Sequence, residues 1–289
     1  MNLQIAQVYL QHSDPTMATR TWKEVFDKII STKTGSTQER WKCAAKDKAF
    51  HLIRDRKVVE TTSDHFLAVL QAGTVATNFY LRRTHHFAIG MHWLPWPVLP
   101  KLHWPPIVFK KKRAITLEEH EKIVANECNA ELKAYYQMLW HIGGAQSDVA
   151  ALKGEDIDWD DHTITFRRKK TGTLVHLTLG SDALAALEGL PKSGPLFPRL
   201  SKLTASDRAA WFVQKLKAVQ ITGISLHCYR YAWAERARQS GYPEQYAMQA
   251  LGHHSEAVHR AYAKNAKVKL PSLQEFESKI VQLPMAVNQ

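Results

Sequence analysis

The residues best suited to chemistry lie in three stretches of the second half of the chain. The first is Leu226-His227-Cys228-Tyr229-Arg230. Residues three apart on a helix share a face, so His227 and Arg230 address one ligand. The pair suits a phosphate: arginine gives bidentate, permanently charged hydrogen bonds, and histidine donates or exchanges a proton. A helix cap beside a solvated arginine has the same spacing. The second stretch, Ala250 to Tyr262, reads ALGHHSEAVHRAY. Gly252 ends one helix and Ser255 caps the next. His253 therefore falls at the junction and Tyr262 about two turns into the following helix, where a tyrosine is also an ordinary half-buried core residue. These histidines do not suit zinc: there is no H-E-x-x-H, and His254 and His259 are five apart. No metal is expected. The third stretch is Arg167-Arg168-Lys169-Lys170-Thr171-Gly172. A lysine at the tip of a two-stranded ribbon reaches a groove or a leaving group, and a basic edge strand guarded against aggregation reads the same way.

The elements that hold these stretches follow from periodicity. Thr163–Phe166 and Leu174–Leu179 alternate in period two around Lys170–Thr173, a hairpin pattern. Thr116 and Glu119 form a capping box, and the spacing predicts helices over 117–126 and 130–141, broken by Gly143-Gly144, with a short helix over 147–152. Further helices are predicted over 206–219, 227–240, 243–251 and 255–263. Upstream, apolar residues recur at helical spacing over 21–30, 37–54, 63–71 and 74–92, which reads as a small helical bundle with basic faces. The expected fold is mostly α with a small antiparallel β-sheet.

Between the two parts, HWLPWPVLPKLHWPPIVFKKKR at 92–113 contains five prolines, which forbid a continuous helix and favour an extended path. It reads as a basic linker with its tryptophans packed on a neighbouring domain, or as a long loop within one domain. The chain accordingly divides into a helical domain over 1–91, the linker, a second domain over 114–264 and a tail over 265–289. The tail places Leu270, Leu273, Phe276 and Ile280 on an apolar face, for docking on another protomer or closing its own domain.

The 289 residues carry 39 Lys and Arg against 27 Asp and Glu, a formal charge of +12, and 45% of residues are apolar, the balance of a folded protein. No apolar run approaches the roughly 20 residues of a membrane span. The N-terminal sequence has no basic segment leading into an apolar one, so no secretion signal is expected. Cys43, Cys128 and Cys228 are widely spaced and form no C-x-x-C pair, which fits a cytoplasmic protein. Residues 1–113 hold 18 Lys and Arg against 8 Asp and Glu, whereas 114–289 hold 21 against 19. Nearly all the excess charge is thus upstream, where it points to a polyanionic partner.

Taken together, Lys170-Thr-Gly in the hairpin, His227-x-x-Arg230, Leu251-Gly-His253 and Tyr262 nine residues later resemble the tyrosine recombinases of the phage integrase family. Each motif is weak alone, but the order and spacing of the four are specific. The resemblance covers the whole chain and implies an N-terminal helical DNA-binding domain of the SAM-like type followed by a catalytic recombinase domain. It implies site-specific cutting and rejoining of double-stranded DNA through a 3′-phosphotyrosine, with no cofactor. Tyr262 would be the nucleophile, Lys170 the general acid and Arg230 a clamp on the scissile phosphate. His227 and His253 would hydrogen-bond the phosphate and assist proton transfer, and Asp148 would support the site from behind. The family further implies a homotetramer on DNA assembled from monomers, with the tail on a neighbouring protomer. Lys42, Lys46, Arg82, Arg83, Lys110, Lys111, Lys112 and Arg113 are the candidate DNA contacts, chiefly to phosphates.

One position departs. In the family a T-G-x-R run precedes the acidic residue; here the run is Ile142-Gly143-Gly144-Ala145, followed by Gln146, and Ala145 stands where the first catalytic arginine belongs. A lost transition-state donor costs about 10²–10³ in rate. A neighbouring cation such as Arg168 or Lys169 substitutes, or the enzyme is slow, or the chain binds DNA without cutting it. A type IB topoisomerase-like nicking enzyme would share the tyrosine chemistry.

Overall fold

The structure is a computed structural model that describes residues 16–108 and 112–268 together with Ser272 and Gln274. Lys110, Lys111 and the apolar tail residues Leu270, Leu273, Phe276 and Ile280 lie outside the described residues. The chain forms two compact units, residues 1–110 and 111–289.

In the first unit, helices α1 (Trp22–Ser31), α2 (Gly35–Ala45), α3 (Ser63–Ala72) and α4 (Val75–Gly90) surround an aromatic core. A capping box between Thr21 and Glu24 starts α1, whose Trp22, Val25, Phe26 and Ile29 are buried on one face. The helix expected over 37–54 ends at Ala45: the Asp47 side chain accepts from the Ala49 amide and opens a tight 3₁₀ turn, Lys48–Leu52.

The Pro/Trp-rich stretch is built into this unit rather than strung out from it. Leu94, Val98, Leu99 and Trp104 are buried in the same core as Trp22 and Phe66. The Val98 amide donates to His85 Nε2 at 3.0 Å, and Trp104 Nε1 donates to the Leu99 carbonyl at 2.9 Å. Prolines prevent helix but leave apolar side chains free to pack, and these contacts satisfy the backbone groups that the extended path would otherwise bury unpaired. An accepting Nε2 requires a neutral His85, and burial lowers its pKa to about 4.

The second unit contains α5 (Leu117–Ala125), α6 (Ala130–Ile142), the short α7 (Gln146–Val149), strands β1 (Ile157–Asp158), β2 (Thr163–Arg167) and β3 (Leu174–Thr178), and then α8 (Ser181–Leu187), α9 (Ala205–Ala218), α10 (Cys228–Gln239), α11 (Glu244–Leu251) and α12 (Glu256–Tyr262). The strands pair antiparallel in the order β1-β2-β3, with Ile164 opposite Leu177 and Phe166 opposite Val175. Ile164, Phe166 and Val175 turn inward and Arg167 outward, as the period-two pattern requires. Helix α6 lies at the centre, burying Tyr135, Tyr136, Met138, Leu139, Trp140 and Ile142. Strand β1 and helix α8 have no counterpart in the periodicity, being two and seven residues long.

Candidate active site

Two glycines shape the backbone on which the site is built. Gly143 ends α6 at φ 60°, and its carbonyl accepts from Arg230 Nη1 at 2.8 Å. A Cβ there would meet the Trp233 ring at 2.6 Å. Gly252 ends α11 at φ 57°, in the left-handed region that glycine occupies without strain. A Cβ on Gly252 would meet Arg168 Cδ at 2.4 Å, so this turn leaves a path for the hairpin arginine.

Arg230, in the first turn of α10, is 2% exposed. Besides the Gly143 carbonyl, its Nη2 reaches the Leu251 carbonyl at 2.8 Å and His253 Nε2 at 3.0 Å, while its buried Nε has no partner among the described residues. An arginine can only donate, so His253 Nε2 accepts and its proton sits on Nδ1, 3.3 Å from His259 Nδ1. Burial and the neighbouring Arg168 lower the Arg230 pKa to about 10.

His227 occupies the N-cap of α10 but makes no side-chain cap, which leaves its imidazole for other work. Its Nε2 lies 2.9 Å from the Tyr262 hydroxyl. Burial, then Arg230, Lys112, Arg168 and Lys170, lower the His227 pKa to about 4, and burial followed by Arg230 lowers that of His253 to about 3. Both imidazoles are therefore neutral at pH 7. Tyr262, the last residue of α12, stacks on Tyr231 at 4.5 Å, with its ring 4.7 Å from His253 and the Arg230 guanidinium 5.7 Å from the ring centre.

The hairpin lies against this cluster through Asp148 of α7. Asp148 Oδ2 accepts from Arg168 Nε at 3.2 Å and Oδ1 from the Lys169 amide at 3.0 Å. Thr173 is 2.8 Å from His254 Nε2 on the far side of the tip. Lys170 is exposed at the tip and has no hydrogen-bond or ion-pair partner among the described residues, though its charge reaches His227.

The structure thus gathers Tyr262, His227, Arg230 and His253, with Asp148 behind them and Lys170 at the rim. Two contributors had no site role assigned from sequence, His259 and Tyr231, whereas Arg168 was one of the cations expected to replace the missing arginine. His259 is buried against His253, Tyr231 supports the Tyr262 ring, and Arg168 fills the space over Gly252. The signal for Arg168 was present: an acidic Asp148 with no arginine at 145 needs another cation.

The candidate DNA contacts differ among themselves. Lys42 and Lys46 are exposed, Lys42 with Glu39 at 2.8 Å. Arg83 is exposed beside Trp41 and Phe79. Arg82 holds Asn78 at 2.9 Å and the Pro105 carbonyl, which fastens the proline-rich stretch to α4. Lys112 is exposed. Arg113 grips Glu119 with two bonds of 2.6 and 2.7 Å and donates to Thr222 at 2.9 Å, so its fork is spent within its own unit rather than free for a phosphate.

Histidine, arginine and tyrosine side chains thus converge on one point, braced by the hairpin and the short helix that carries Asp148. The sequence model of the phage integrase family matches residues 113–269, more than half the chain, and the chain belongs to that family. It is a site-specific tyrosine recombinase, a DNA strand transferase. Among solved structures, a lambda integrase dimer bound to a COC′ core site is similar at 18% identity and a TM-score of 0.71, over 91% of this chain and 83% of that one. The Tn1549 transposon integrase in complex with circular intermediate DNA is similar at 13% identity and a TM-score of 0.66, over 91% and 99%. These likenesses show the fold. No curated protein sequence matches the chain. Among the described residues no helix is long and apolar enough to cross a membrane.

Proposed function

We propose that the chain cuts and rejoins duplex DNA with Tyr262 as nucleophile. The Tyr262 oxygen attacks the scissile phosphorus, the P–O5′ bond breaks, and the phosphate remains on the 3′ end as phosphotyrosine. The phenol proton passes to neutral His227, and Lys170 delivers a proton to the departing 5′-oxygen. Arg230 and His253 hold the non-bridging oxygens, whose charge grows in the transition state. A 5′-hydroxyl attacking the phosphotyrosine reverses these steps. The bond energy is kept, so rejoining needs neither ATP nor a metal.

The observation that carries this reading is the 2.9 Å contact between Tyr262 and a neutral His227 beside the buried Arg230. Burying an arginine with an unpartnered Nε next to a second arginine suits a protein that binds an anion there. Exposed Lys42, Lys46, Arg83 and Lys112 supply phosphate contacts that position the duplex. A lambda integrase tetramer bound to a Holliday junction is among the similar structures, at 18% identity and a TM-score of 0.67, over 86% of this chain and 81% of that one. That likeness supports a tetramer on DNA for this chain; its assembly from monomers and a cytoplasmic setting are part of the same proposal.

A nicked duplex whose cleavage releases a short oligonucleotide traps the covalent intermediate. Native protein is expected to give a denaturation-resistant adduct, and Tyr262→Phe none, with DNA affinity unchanged. Native protein that binds this DNA without forming an adduct would show a binding protein rather than an enzyme.

A further inference from the structure

We infer that Arg168, from the hairpin, supplies the second phosphate-binding guanidinium that Ala145 cannot. The inference rests on the strand-transfer reading above.

Ala145 is the N-cap of α7 and carries a side chain of one carbon. Asp148, in the same short helix, is 6% exposed and turns its carboxylate to Arg168. Arg168 Nη1 then donates to the Leu251 carbonyl at 2.5 Å and to the Gly252 carbonyl at 3.0 Å. The Leu251 oxygen also accepts from Arg230 Nη2 at 2.8 Å. Two guanidinium groups from separate elements therefore meet at one carbonyl, beside the Tyr262 ring.

Such a pair of like charges is unfavourable without an anion. Asp148 balances one of the two, His227 and His253 are neutral, and Lys170 and Lys112 add further positive charge nearby. The remainder fits one phosphodiester. Arg168 also has a donor to give: its Nε and Nη1 are bonded, while Nη2 has no hydrogen-bond partner among the described residues. Its side chain is only 10% exposed, so Nη2 is held in place by packing and by three bonds rather than by chance. The bond to Asp148 fixes the guanidinium plane, and Gly252 leaves room for its stem. An arginine on the hairpin, anchored by an acidic residue on the short helix, thereby takes over a task assigned elsewhere to position 145.

The test is single-turnover cleavage of the nicked duplex carrying either a normal scissile phosphate or a methylphosphonate, in which a charged non-bridging oxygen is replaced by methyl. With the normal phosphate, Arg168→Ala is expected to slow cleavage by about 10²–10³ and Arg168→Lys by less. With the methylphosphonate, which needs less positive charge, the Arg168→Ala deficit should shrink about tenfold or more. Adding Ala145→Arg to Arg168→Ala should restore part of the loss. An equal deficit on both substrates would mean that Arg168 only braces the fold, and native rates for Arg168→Ala would mean that it does nothing at the phosphate; either overturns the inference while leaving the enzyme reading intact. Absence of cleavage by the native protein on both substrates removes the enzyme reading itself.

Discussion

Replacing Arg230 by methionine separates the site's role in function from its role in stability. Arg230 is 2% exposed, and burial, then the neighbouring Arg168, lower its pKa from the ordinary arginine value to about 10. At about 1.4 kcal/mol per tenfold change, the folded protein disfavours this charge by about 3 kcal/mol. Methionine of similar length removes that penalty. Against it stand the missing hydrogen bonds. The Leu251 carbonyl keeps its bond from Arg168, so the Gly143 carbonyl is the backbone group left alone, at a cost of about 1–3 kcal/mol. The two effects nearly offset, and Arg230→Met is expected to change stability by no more than about 2 kcal/mol in either direction. Cleavage should nevertheless fall by about 10²–10³ or more, the loss of a preorganised donor. Urea denaturation followed by tryptophan fluorescence gives the first quantity, and trapping of the covalent adduct under single-turnover conditions gives the second. A loss of more than about 4 kcal/mol of stability would show Arg230 to be a structural clamp and refute the argument.

Three further outcomes follow from the geometry. Gly252→Ala places a Cβ 2.4 Å from Arg168 Cδ at φ 57°, so it should destabilise the protein by about 1–3 kcal/mol and slow cleavage; native cleavage would show that the Arg168 path is unimportant. The folded pKa values of His227 at about 4 and His253 at about 3 lie below the roughly 6.5 of an unfolded histidine. Between these values the unfolded chain binds more protons, so the stability these residues contribute is complete above about pH 6.5 and is lost as pH falls toward 4 for His227 and toward 3 for His253. Imidazole NMR resonances of both should stay unshifted from pH 8 to 5.5, and titration of either near 6.5 contradicts the account. Finally, Lys42→Ala with Lys46→Ala should weaken DNA binding and reduce the slope of log affinity against log salt by about 0.9 for each phosphate no longer neutralised, which a salt titration measures; an unchanged slope removes these lysines from the interface.

The parts of this protein that were legible in its sequence are those set by local periodicity. Helices α5, α6 and α9 to α12 and the hairpin follow from apolar spacing and caps, and ordered motifs alone indicated Tyr262, His227, Arg230 and His253. What local pattern does not encode is where long side chains reach. Arg168 and Lys170 lie two residues apart on the same turn, yet one is tucked beneath Gly252 and the other is exposed. Arg113 and Lys112 are neighbours, but only Arg113 finds Glu119 within its reach. The proline-rich stretch reads as a linker because prolines report on backbone freedom, whereas its burial depends on Leu94, Val98, Leu99 and Trp104 meeting a core supplied by distant helices.

The central claim is that Tyr262 carries the DNA. Tyr231 stacks on it at 4.5 Å and is the nearest competing phenol among the described residues. Trypsin places the two in separate peptides, residues 231–236 and 261–264. Mass spectrometry of the nuclease-trimmed, trypsin-digested adduct should find the nucleotide mass on the peptide containing Tyr262. Finding it on the peptide containing Tyr231, or finding no modified tyrosine in a trapped complex, would contradict the account.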